Sequence, residues 1–419
     1  MKSLEKYIIE GGNRLEGEVN ISGSKNAALP IIAATILNGG VSVIENCPEI
    51  HDVKMMFRIL KQLGATIKKN GKEIIIDTSN IDKTEISADL MREMRSSVII
   101  VGALIGRMKK CTFTYPGGCE IGARPINMHI DGFKQLGVDV TEEYGYITCN
   151  VKKLKGTDIT LDFPSVGATE NIMLASCLAE GTTYIRNVAR EPEIKDLQDF
   201  LNSMGAKIKG AGSNTIVVTG VKKLHEVKHK VIADRIEAGT YLCMIAGTHG
   251  KADLIDVNPE HLSAVIHKLK RMGAKIKTTS NSINIDGYNK IQAVTIKTSP
   301  YPGFPTDMQS QMASLLTMAN GTSIIVENIF ENRYKYINEL IRMGANISIE
   351  GKTAIIQGVT KLYGTEVETK DLRGGAALVL AGLMADGITE VSGIKYLERG
   401  YENLIEKLAI IGAKVYKKC

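Results

Sequence analysis

Two groups of residues in this chain have the types and spacing that chemistry needs. One is Cys119, which lies in the glycine-rich segment TYPGGCEIGARPINMHI, residues 114–130, close to Arg124. Glycines allow a segment to hinge over a site, and a neighbouring cation favours the reactive thiolate. We therefore interpret Cys119 as a reactive thiol. The alternative is an inert cysteine that only packs, which is the usual role of an isolated cysteine.

The second group is a set of cations at the predicted starts of apolar helices. Lys25 precedes NAALPIIAATIL, Arg95 precedes SSVIIVGALIG, and Arg373 precedes GGAALVLAGLMA. The positive end of the helix dipole disfavours a cation at this point, whereas the unpaired N–H groups there suit an anion. These three residues therefore predict a ligand that carries phosphate or carboxylate groups.

Other polar residues occupy equivalent helix starts: Ser165, Asp234, Asp307 and Asp371. For any one of them, ordinary N-capping is an alternative to a role in a site. Arg333 in FENRY and Arg399 in LERGYENL each precede a second helix, and either could instead be a solvated surface residue.

These residues are placed by a repeat that runs through the whole chain. A short phrase built on Gly-Ala or a close variant (LGAT, LGVD, MGAK, MGAK, MGAN, IGAK) closes a helical run and leads into a strand. It recurs every 68 to 73 residues, at Gly64, Gly137, Gly205, Gly273, Gly344 and Gly412. Such fixed-period similarity indicates an architecture of repeated units.

The sequence pattern of each unit predicts strands and helices in the order β-α-β-α-β-β. The first helix is apolar on nearly all faces and so buried, a glycine-containing stop follows it, and the second helix is amphipathic. The unit ends in a strand pair, for which Asn70-Gly71 supplies a two-residue hairpin signal in the first unit. Six units divide into three and three. The fold class is therefore α/β, with helices packed inside surrounding sheets in two similar lobes and a cleft between them as the expected ligand site. A scaffold without any site is the alternative.

Composition limits the possible functions. The 419 residues are 44% hydrophobic and 23% charged, and the net charge of +6 lacks a basic run. With no Trp and seven Phe, stacking platforms for bases are not expected, so nucleic acid is not an expected partner. Seven scattered cysteines without a C-x-x-C pair argue against a zinc site or a disulfide framework. No long apolar run or signal-peptide core is present, so we expect a cytoplasmic protein without membrane contact.

The motifs together resemble the enolpyruvyl transferases, in the branch that acts on UDP-N-acetylglucosamine. The resemblance covers the full length in the right order, through SGSKNAALP, PGGCEIGARPINMHIDGF, VGATENIML, REPEI, DRIEAGTY, GFPTDMQSQ, FENRY, DLRGGAALVLAGL and LERGYENL. The sister branch, which acts on shikimate 3-phosphate, shares the six-unit architecture but lacks the cysteine segment.

The resemblance implies a two-lobed inside-out α/β barrel, with three repeats in each lobe. One lobe would be residues 23–232, and the other residues 1–22 with 233–419. It also implies transfer of the enolpyruvyl group of phosphoenolpyruvate to the 3-hydroxyl of UDP-N-acetylglucosamine, with release of phosphate, by addition and elimination. This is the first committed step of peptidoglycan precursor synthesis. No metal or organic cofactor is implied, and the expected partners are these two small substrates.

The resemblance also assigns roles. Lys25, Arg124 and Arg399 would hold the phosphate of phosphoenolpyruvate, and Lys25 would also be a catalytic residue. Arg373 with Arg399 would hold the carboxylate, and Asn26 would lie in the same site. Two-point Arg geometry suits both anions. Cys119 would protonate the methylene carbon, and Asp307 would take the proton of the sugar hydroxyl. The sugar nucleotide would contact Asn26, Arg95, Arg124, Pro125, Ile126, Asn127, Met128, Phe163, Pro164, Ser165, Val166, Asp307 and Ile329.

Some assignments stay open. His129, Glu191, Asp234, Glu237, Arg333 and Asp371 match further polar positions, with His129 as much a core residue as a site residue. Two residues depart from the pattern: Phe163 stands where some members have Lys, and Glu120 where many have Ala. Transfer to a different hydroxyl acceptor, or a sensor that binds sugar nucleotides without catalysis, are the alternative functions.

Overall fold

The computed structural model describes residues 5–117, 121–122 and 125–418. Within these ranges the chain forms two compact units. The first unit contains residues 23–117 and 125–232. The second contains residues 5–22, 121–122 and 233–418. We propose that these two units are the two domains of the protein, and each is described by itself.

The first unit has seven α-helices and eleven strands among its described residues. Its helices are α1 (Lys25–Ala34), α2 (His51–Leu63), α3 (Ala88–Glu93), α4 (Ile99–Met108), α5 (Asn127–Gln135), α6 (Val166–Ser176) and α7 (Pro192–Ser203). Its strands are β3 (Val41–Glu45), β4 (Thr66–Asn70), β5 (Glu73–Asp77), β6 (Lys110–Thr114), β7 (Asp139–Glu143), β8 (Tyr146–Asn150), β9 (Asp158–Thr160), β10 (Thr182–Arg186), β11 (Lys207–Lys209), β12 (Thr215–Thr219) and β13 (Val227–Lys230).

The second unit includes the N-terminal strands. Its helices are α8 (Arg235–Gly247), α9 (Ser263–Arg271), α10 (Gln309–Leu316), α11 (Ile337–Arg342), α12 (Leu372–Met384) and α13 (Leu404–Ile410). Its strands are β1 (Lys6–Glu10), β2 (Glu16–Asn20), β14 (Lys251–Ile255), β15 (Lys275–Thr278), β16 (Ser282–Asp286), β17 (Thr295–Lys297), β18 (Thr322–Val326), β19 (Asn346–Glu350), β20 (Thr353–Gln357), β21 (Glu366–Glu368), β22 (Ile388–Ser392) and β23 (Lys414–Lys418).

Helices fill the interior of each unit, and sheets cover them. The described strands of the first unit form sheets of order β13-β3-β5-β4, β6-β8-β7 and β11-β12-β10-β9. Those of the second unit form β15-β16-β14-β2, β17-β18-β20-β19 and β21-β22-β1-β23. The apolar first helices α1, α4 and α6 lie in one hydrophobic core, and α8, α10 and α12 lie in the other. The predicted fold class, with buried helices inside sheets and three repeats in each half, is confirmed.

The Gly-Ala phrase closes the second helix of every repeat. All six of its glycines have positive φ, between 92° and 114°. In the first repeat the amide of Ala65, just after Gly64, donates to the carbonyl of Leu60, which is a Schellman closure. Glycine adopts the left-handed conformation at the lowest steric cost. The repeat period therefore reflects a requirement of the backbone.

The stops after the first helices follow this rule only in part. In the second repeat Lys109 takes the left-handed conformation (φ 62°), and in the fourth His249 does so (φ 54°), not the neighbouring glycines. The expectation that glycine relieves the cap is wrong at these two stops. Gly250 is instead needed for close packing, since a Cβ there would lie 2.1 Å from the carbonyl oxygen of Leu15.

Two repeats also differ from the ideal strand order. In the sixth repeat the last strand of the hairpin comes from the N-terminus, because β1 lies between β22 and β23. In the second repeat a single bridge between Glu85 and Thr112 stands where the other described repeats have a parallel edge strand. The predicted hairpin between β4 and β5 is present, but Asn70 pairs with Glu73, so its two loop residues are Gly71 and Lys72.

Candidate functional site

The candidate cation of the first unit, Lys25, is the first residue of α1. The hydroxyl of Ser24 caps this helix by accepting a hydrogen bond from the amide of Ala27 at 3.3 Å. The Lys25 Nζ lies 2.6 Å from Oδ2 of Asp52, and only 11% of the lysine side chain and 2% of the aspartate side chain are exposed. The predicted neighbour Asn26 is half-buried. Asp52 therefore orients Lys25 at the start of the helix.

Sequence reasoning did not find Asp52. It lies in the first turn of α2, where an acidic residue is normally explained by the helix dipole. Its distance of 27 positions from Lys25 follows no helical or strand spacing, so only the packing of α2 against α1 brings the two together.

Arg95 and His129 are neighbours in the same unit. Arg95 begins a short 3-10 helix, Arg95–Val98, and is half-buried. His129 is buried, and its pKa is lowered to about 3, first by burial and then by the charge of Arg95. The imidazole is therefore neutral, and its Nδ1 accepts a hydrogen bond from Asn171 at 2.7 Å. Asn171 also bonds the backbone of Val98 and Gly102. His129 thus has a core role that ties α5 to α4 and α6.

The remaining predicted sugar-nucleotide residues of this unit lie at two helix starts. Pro125 and Asn127 are exposed and Met128 is half-buried, whereas the side chain of Ile126 is buried in the hydrophobic core and leaves only its backbone for a ligand. At the start of α6, Phe163 is 42% exposed, and Pro164, Ser165 and Val166 are half-buried. The Ser165 hydroxyl accepts from the amide of Ala168, so it is also the N-cap.

Cys119 and Arg124 lie outside the described residues, as does Glu120. Among the cysteines that the structure does describe, Cys111, Cys149, Cys177 and Cys243 are buried and Cys47 is half-buried. Burial raises the pKa of the Cys149 and Cys177 thiols to about 12. These buried thiols are poor nucleophiles, as expected for cysteines that only pack.

In the second unit, Asp307 is held by two arginines. It lies in the 3-10 helix Thr306–Met308, directly before α10. Its Oδ1 accepts from Nη2 of Arg333 at 2.9 Å, and its Oδ2 accepts from Nε and Nη2 of Arg373 at 3.2 and 2.9 Å. Both guanidinium groups are buried, with 3% and 4% exposed, while 28% of the Asp307 side chain is exposed. The carboxylate is thus fixed in direction and open to solvent on one side. We call Asp307, Arg333 and Arg373 the Asp307 cluster.

A buried network of hydrogen bonds through Tyr401 holds the Nη1 atom of Arg373. Its Nη1 donates to the hydroxyl oxygen of the buried Tyr401 at 3.3 Å, and this hydroxyl also contacts Thr240 and Gln311. Burial by itself lowers the pKa of Arg373. The pKa is nevertheless raised, because Asp307 and further negative groups favour the charged guanidinium. Tyr401, within the motif LERGYENL, was not singled out from the sequence.

Four other predicted residues have structural partners. Asp234 and Asp371 cap α8 and α12 through their carboxylates, as the capping alternative anticipated. The buried Glu237 accepts from Lys407 and from the amide of Ser22. Burial raises the pKa of Glu237 to about 7, although Lys407 acts in the opposite direction. Glu191 is the N-cap residue of α7.

Ile329 and Arg399 are the last predicted contacts. Ile329 is half-buried, and its amide donates to the carboxylate of Glu327 at 2.8 Å. Arg399 is half-buried at the end of a 3-10 helix, Ile394–Arg399. Of the predicted residues in the second unit, Asp307, Arg333 and Arg373 are in direct contact through the hydrogen bonds given above.

The described part of the chain has neither a metal-binding cluster nor a membrane-spanning helix. No group of three or more His, Cys, Asp or Glu there could hold a metal ion. Among the helices in the described ranges, none is both long and apolar enough to cross a membrane.

One protein-family model matches nearly the whole chain. The family model of EPSP synthase (3-phosphoshikimate 1-carboxyvinyltransferase) matches residues 9–408. The chain therefore belongs to this family of enolpyruvyl transferases.

Three individual relatives match nearly the full length of the chain. The chain is 54% identical to UDP-N-acetylglucosamine 1-carboxyvinyltransferase 2 of Caldanaerobacter subterraneus subsp. tengcongensis, over 99% of this chain and 100% of the relative. It is 51% identical to UDP-N-acetylglucosamine 1-carboxyvinyltransferase 1 of Carboxydothermus hydrogenoformans, over 98% of both chains. A third relative, from Clostridium tetani, is 50% identical over 99% of this chain and 100% of its own length.

Solved structures agree on the fold. The enolpyruvyl transferase NikO from Streptomyces tendae superposes with a TM-score of 0.88 at 26% identity, over 99% of both chains. EPSP synthase from Acinetobacter baumannii has a TM-score of 0.77 at 19% identity, over the full length of both chains, and this likeness shows the fold alone.

Proposed function

We propose that this chain transfers the enolpyruvyl group of phosphoenolpyruvate to the 3-hydroxyl of UDP-N-acetylglucosamine and releases phosphate. The observation that carries the proposal is the 54% identity, across essentially both full lengths, to a relative named for this activity. We also propose that the product enters peptidoglycan precursor synthesis. The protein would act in the cytoplasm, where both small substrates are metabolites.

The proposed reaction has two steps. In the addition, the sugar hydroxyl oxygen bonds to C2 of phosphoenolpyruvate, its proton passes to Asp307, and Cys119 gives a proton to the methylene carbon C3. In the elimination, C3 returns a proton to the Cys119 thiolate, the C2–O bond to phosphate breaks, and the double bond forms again. The proton held by Asp307 passes to the departing phosphate, so both side chains regain their starting state. Atoms balance without an oxidant, a reductant or a metal ion.

The contacts of Asp307 support its proposed role. A general base must reach the proton that it takes, and the exposed fraction of this carboxylate allows a hydroxyl to approach. The two buried guanidinium groups fix its orientation, which lowers the cost of placing it correctly in the transition state. Arg373 is the proposed partner of the substrate carboxylate, and its contact with Asp307 would place that anion beside the proposed base.

The cations of the first unit would hold the phosphate. Lys25 is fixed by Asp52 and keeps 11% of its side chain exposed. It would act with Arg124 on the phosphate. Arg95, Asn26 and the helix starts at residues 125–128 and 163–166 would contact the sugar nucleotide. Phosphate at a helix start gains from both the lysine and the helix amides.

Phosphate release tests this function. Purified protein is incubated with phosphoenolpyruvate and UDP-N-acetylglucosamine, with the sugar nucleotide omitted, or with shikimate 3-phosphate in its place. We expect release only with UDP-N-acetylglucosamine. The shikimate arm is included because the matching family model carries that acceptor in its name. Release with shikimate 3-phosphate would instead assign another acceptor, and binding of the sugar nucleotide without release would assign a sensor.

Alkylation tests the role of Cys119. The epoxide phosphonate fosfomycin combines a phosphate-like anion with an electrophile, and we expect it to add to Cys119. Intact-mass spectrometry should show one adduct on the wild-type protein and none on Cys119→Ser. The described cysteines serve as internal controls, because burial raises the pKa of four of their thiols. An adduct on any of these cysteines would contradict the assignment.

A further inference from the structure

One buried carboxylate outside the proposed reaction organises the surroundings of Asp307. Glu327 directly follows β18, and 2% of the residue is exposed. A carboxyl group this deeply buried needs hydrogen-bond partners in place of water. The partners of its two oxygens define its role in the second unit.

The first oxygen of Glu327 forms the turn that carries Ile329. Its Oε1 accepts from the amides of Ile329 and Phe330, at 2.8 and 3.2 Å, and from the hydroxyl of Thr298 at 2.9 Å. The Thr298 hydroxyl in turn accepts from the amide of Asn328 at 2.8 Å. The conformation of residues 327–330 thus depends on this carboxylate.

The second oxygen reaches the segment of Asp307. Its Oε2 accepts from the hydroxyl of Thr306 at 3.0 Å. Thr306 directly precedes Asp307, and its carbonyl oxygen accepts from Nη2 of Arg333, the same atom that donates to Asp307. Arg333 lies six residues after Glu327, beyond the same turn. Glu327 therefore joins both sides of the contact between Asp307 and Arg333.

We propose that Glu327 is a positioning residue that acts through Thr306 to fix the Asp307 carboxylate for the acceptor hydroxyl. This inference rests on the proposed function, which it deepens. Glu327 does not touch the reacting atoms. Its contribution is to hold the residue before the base on one side and the turn leading to Arg333 on the other.

Thr306→Val is the decisive variant, because it keeps the shape of the side chain and removes only the hydroxyl donor. We expect kcat to fall about tenfold, the effect of losing roughly one hydrogen bond to a charged group in the transition state. The KM for phosphoenolpyruvate should change less than twofold. Thr306→Ser restores the hydroxyl and should recover kcat to within about threefold of wild type, on the same scale.

Thr317→Val is the matched control. Thr317 follows the other end of α10, is fully buried, and donates its hydroxyl to the carbonyl of Ser314 at 2.7 Å. The same substitution there should leave kcat near the wild-type value. Alkylation of Cys119 by fosfomycin adds a readout that does not use Asp307, and its rate should be the same in Thr306→Val and wild type.

Coupling tests whether Thr306 acts through Glu327. Glu327→Gln keeps the shape and replaces one acceptor oxygen with an amide donor. If the proposal holds, adding Thr306→Val to Glu327→Gln should lower kcat much less than it does in the wild type, because residues in one hydrogen-bond network are not additive. Fully additive losses, a wild-type kcat in Thr306→Val, or a Thr306→Ser variant as slow as Thr306→Val would each overturn the proposal.

Crystal structures of the two Thr306 variants give a result that needs no turnover. Asp307 should leave Arg333 in Thr306→Val and keep the contact in Thr306→Ser. A wild-type protein without acceptor-dependent phosphate release contradicts the proposed function, and the crystal structures then decide on Glu327. An unmoved Asp307 in Thr306→Val contradicts the positioning role alone.

Discussion

The candidate residues of the two units are held in different ways. In the first unit Lys25, a flexible cation, meets the single carboxylate of Asp52. In the second unit Asp307 meets two forked guanidinium groups, and its neighbour Thr306 is fixed through Glu327. Lysine is a compact charge on a rotatable stem, whereas arginine presents donors in a rigid plane. The cation proposed for phosphate can thus adjust to its ligand, while the proposed base is held in one direction.

The largest effect should come from the base itself. Asp307→Asn keeps the shape and can still accept from the arginines, but it cannot take a proton. We expect kcat to fall by about 10²–10⁴-fold, the usual contribution of general base catalysis. UDP-N-acetylglucosamine binding, measured by calorimetry, should largely survive.

Asp386→Asn is the control for that change, since it removes a charge from the exposed pair with Lys361 in the same unit. It should keep wild-type activity. Complete loss of sugar-nucleotide binding in Asp307→Asn would make Asp307 a binding residue and not a base.

Replacing the fork in the Asp307 cluster should have the next largest effect. Arg373→Lys keeps the charge but cannot bond Asp307 and Tyr401 together in the same geometry. We expect kcat/KM for phosphoenolpyruvate to fall roughly 100-fold, or about 3 kcal/mol, the upper value for a hydrogen bond to a charged group. Steady-state kinetics measure it. Arg342→Lys is the matched control and should have little effect, since Arg342 is exposed and pairs with Glu339. Equal losses in both variants would contradict the importance of the fork.

A smaller effect is expected at the single ion pair. Asp52→Asn removes the charge opposite Lys25 and keeps the shape. Because a lysine can find other contacts, we expect kcat/KM for phosphoenolpyruvate to fall only about tenfold, near 1.4 kcal/mol. Asp158→Asn, at an exposed pair with Arg186 in the same unit, is the control. A loss as large as that of Arg373→Lys would remove the difference between the two regions.

The smallest expected effect is on the stability of the folded protein at acidic pH. The folded pKa of His129 is about 3, below the ordinary value of 6.5, so the unfolded chain binds a proton there that the folded chain does not. This contribution to stability is complete above pH 6.5 and is lost as pH falls towards 3. Between pH 6.5 and 5.5 it amounts to at most about 1.4 kcal/mol.

The neutral variant His129→Gln should therefore lose less stability than wild type over that pH interval. Thermal melts of both proteins at the two pH values measure the difference. His225→Gln is the control, since that imidazole bonds the backbone carbonyl of Glu226 in an exposed position. An equal pH response of His129→Gln and wild type would show that His129 is not the titrating group.

The sequence by itself determined the repeat and the type of each helix. The six glycines of the repeat must have positive φ, and the apolar runs must be buried, because both are local requirements of backbone and side chain. The same pattern placed Lys25, Arg95, Asp307 and Arg373 at helix starts, since the residues that break an apolar period are visible in the sequence.

Only the tertiary structure decided the partners of those residues. Asp52, Tyr401 and Glu327 look in the sequence like an ordinary helix start, a core aromatic and a strand end. Their roles arise from contacts across large sequence separations, such as Thr240 with Tyr401 and β1 with β22. Hydrogen bonds and ion pairs depend on distances of about 3 Å, and the packing of helices and sheets sets those distances.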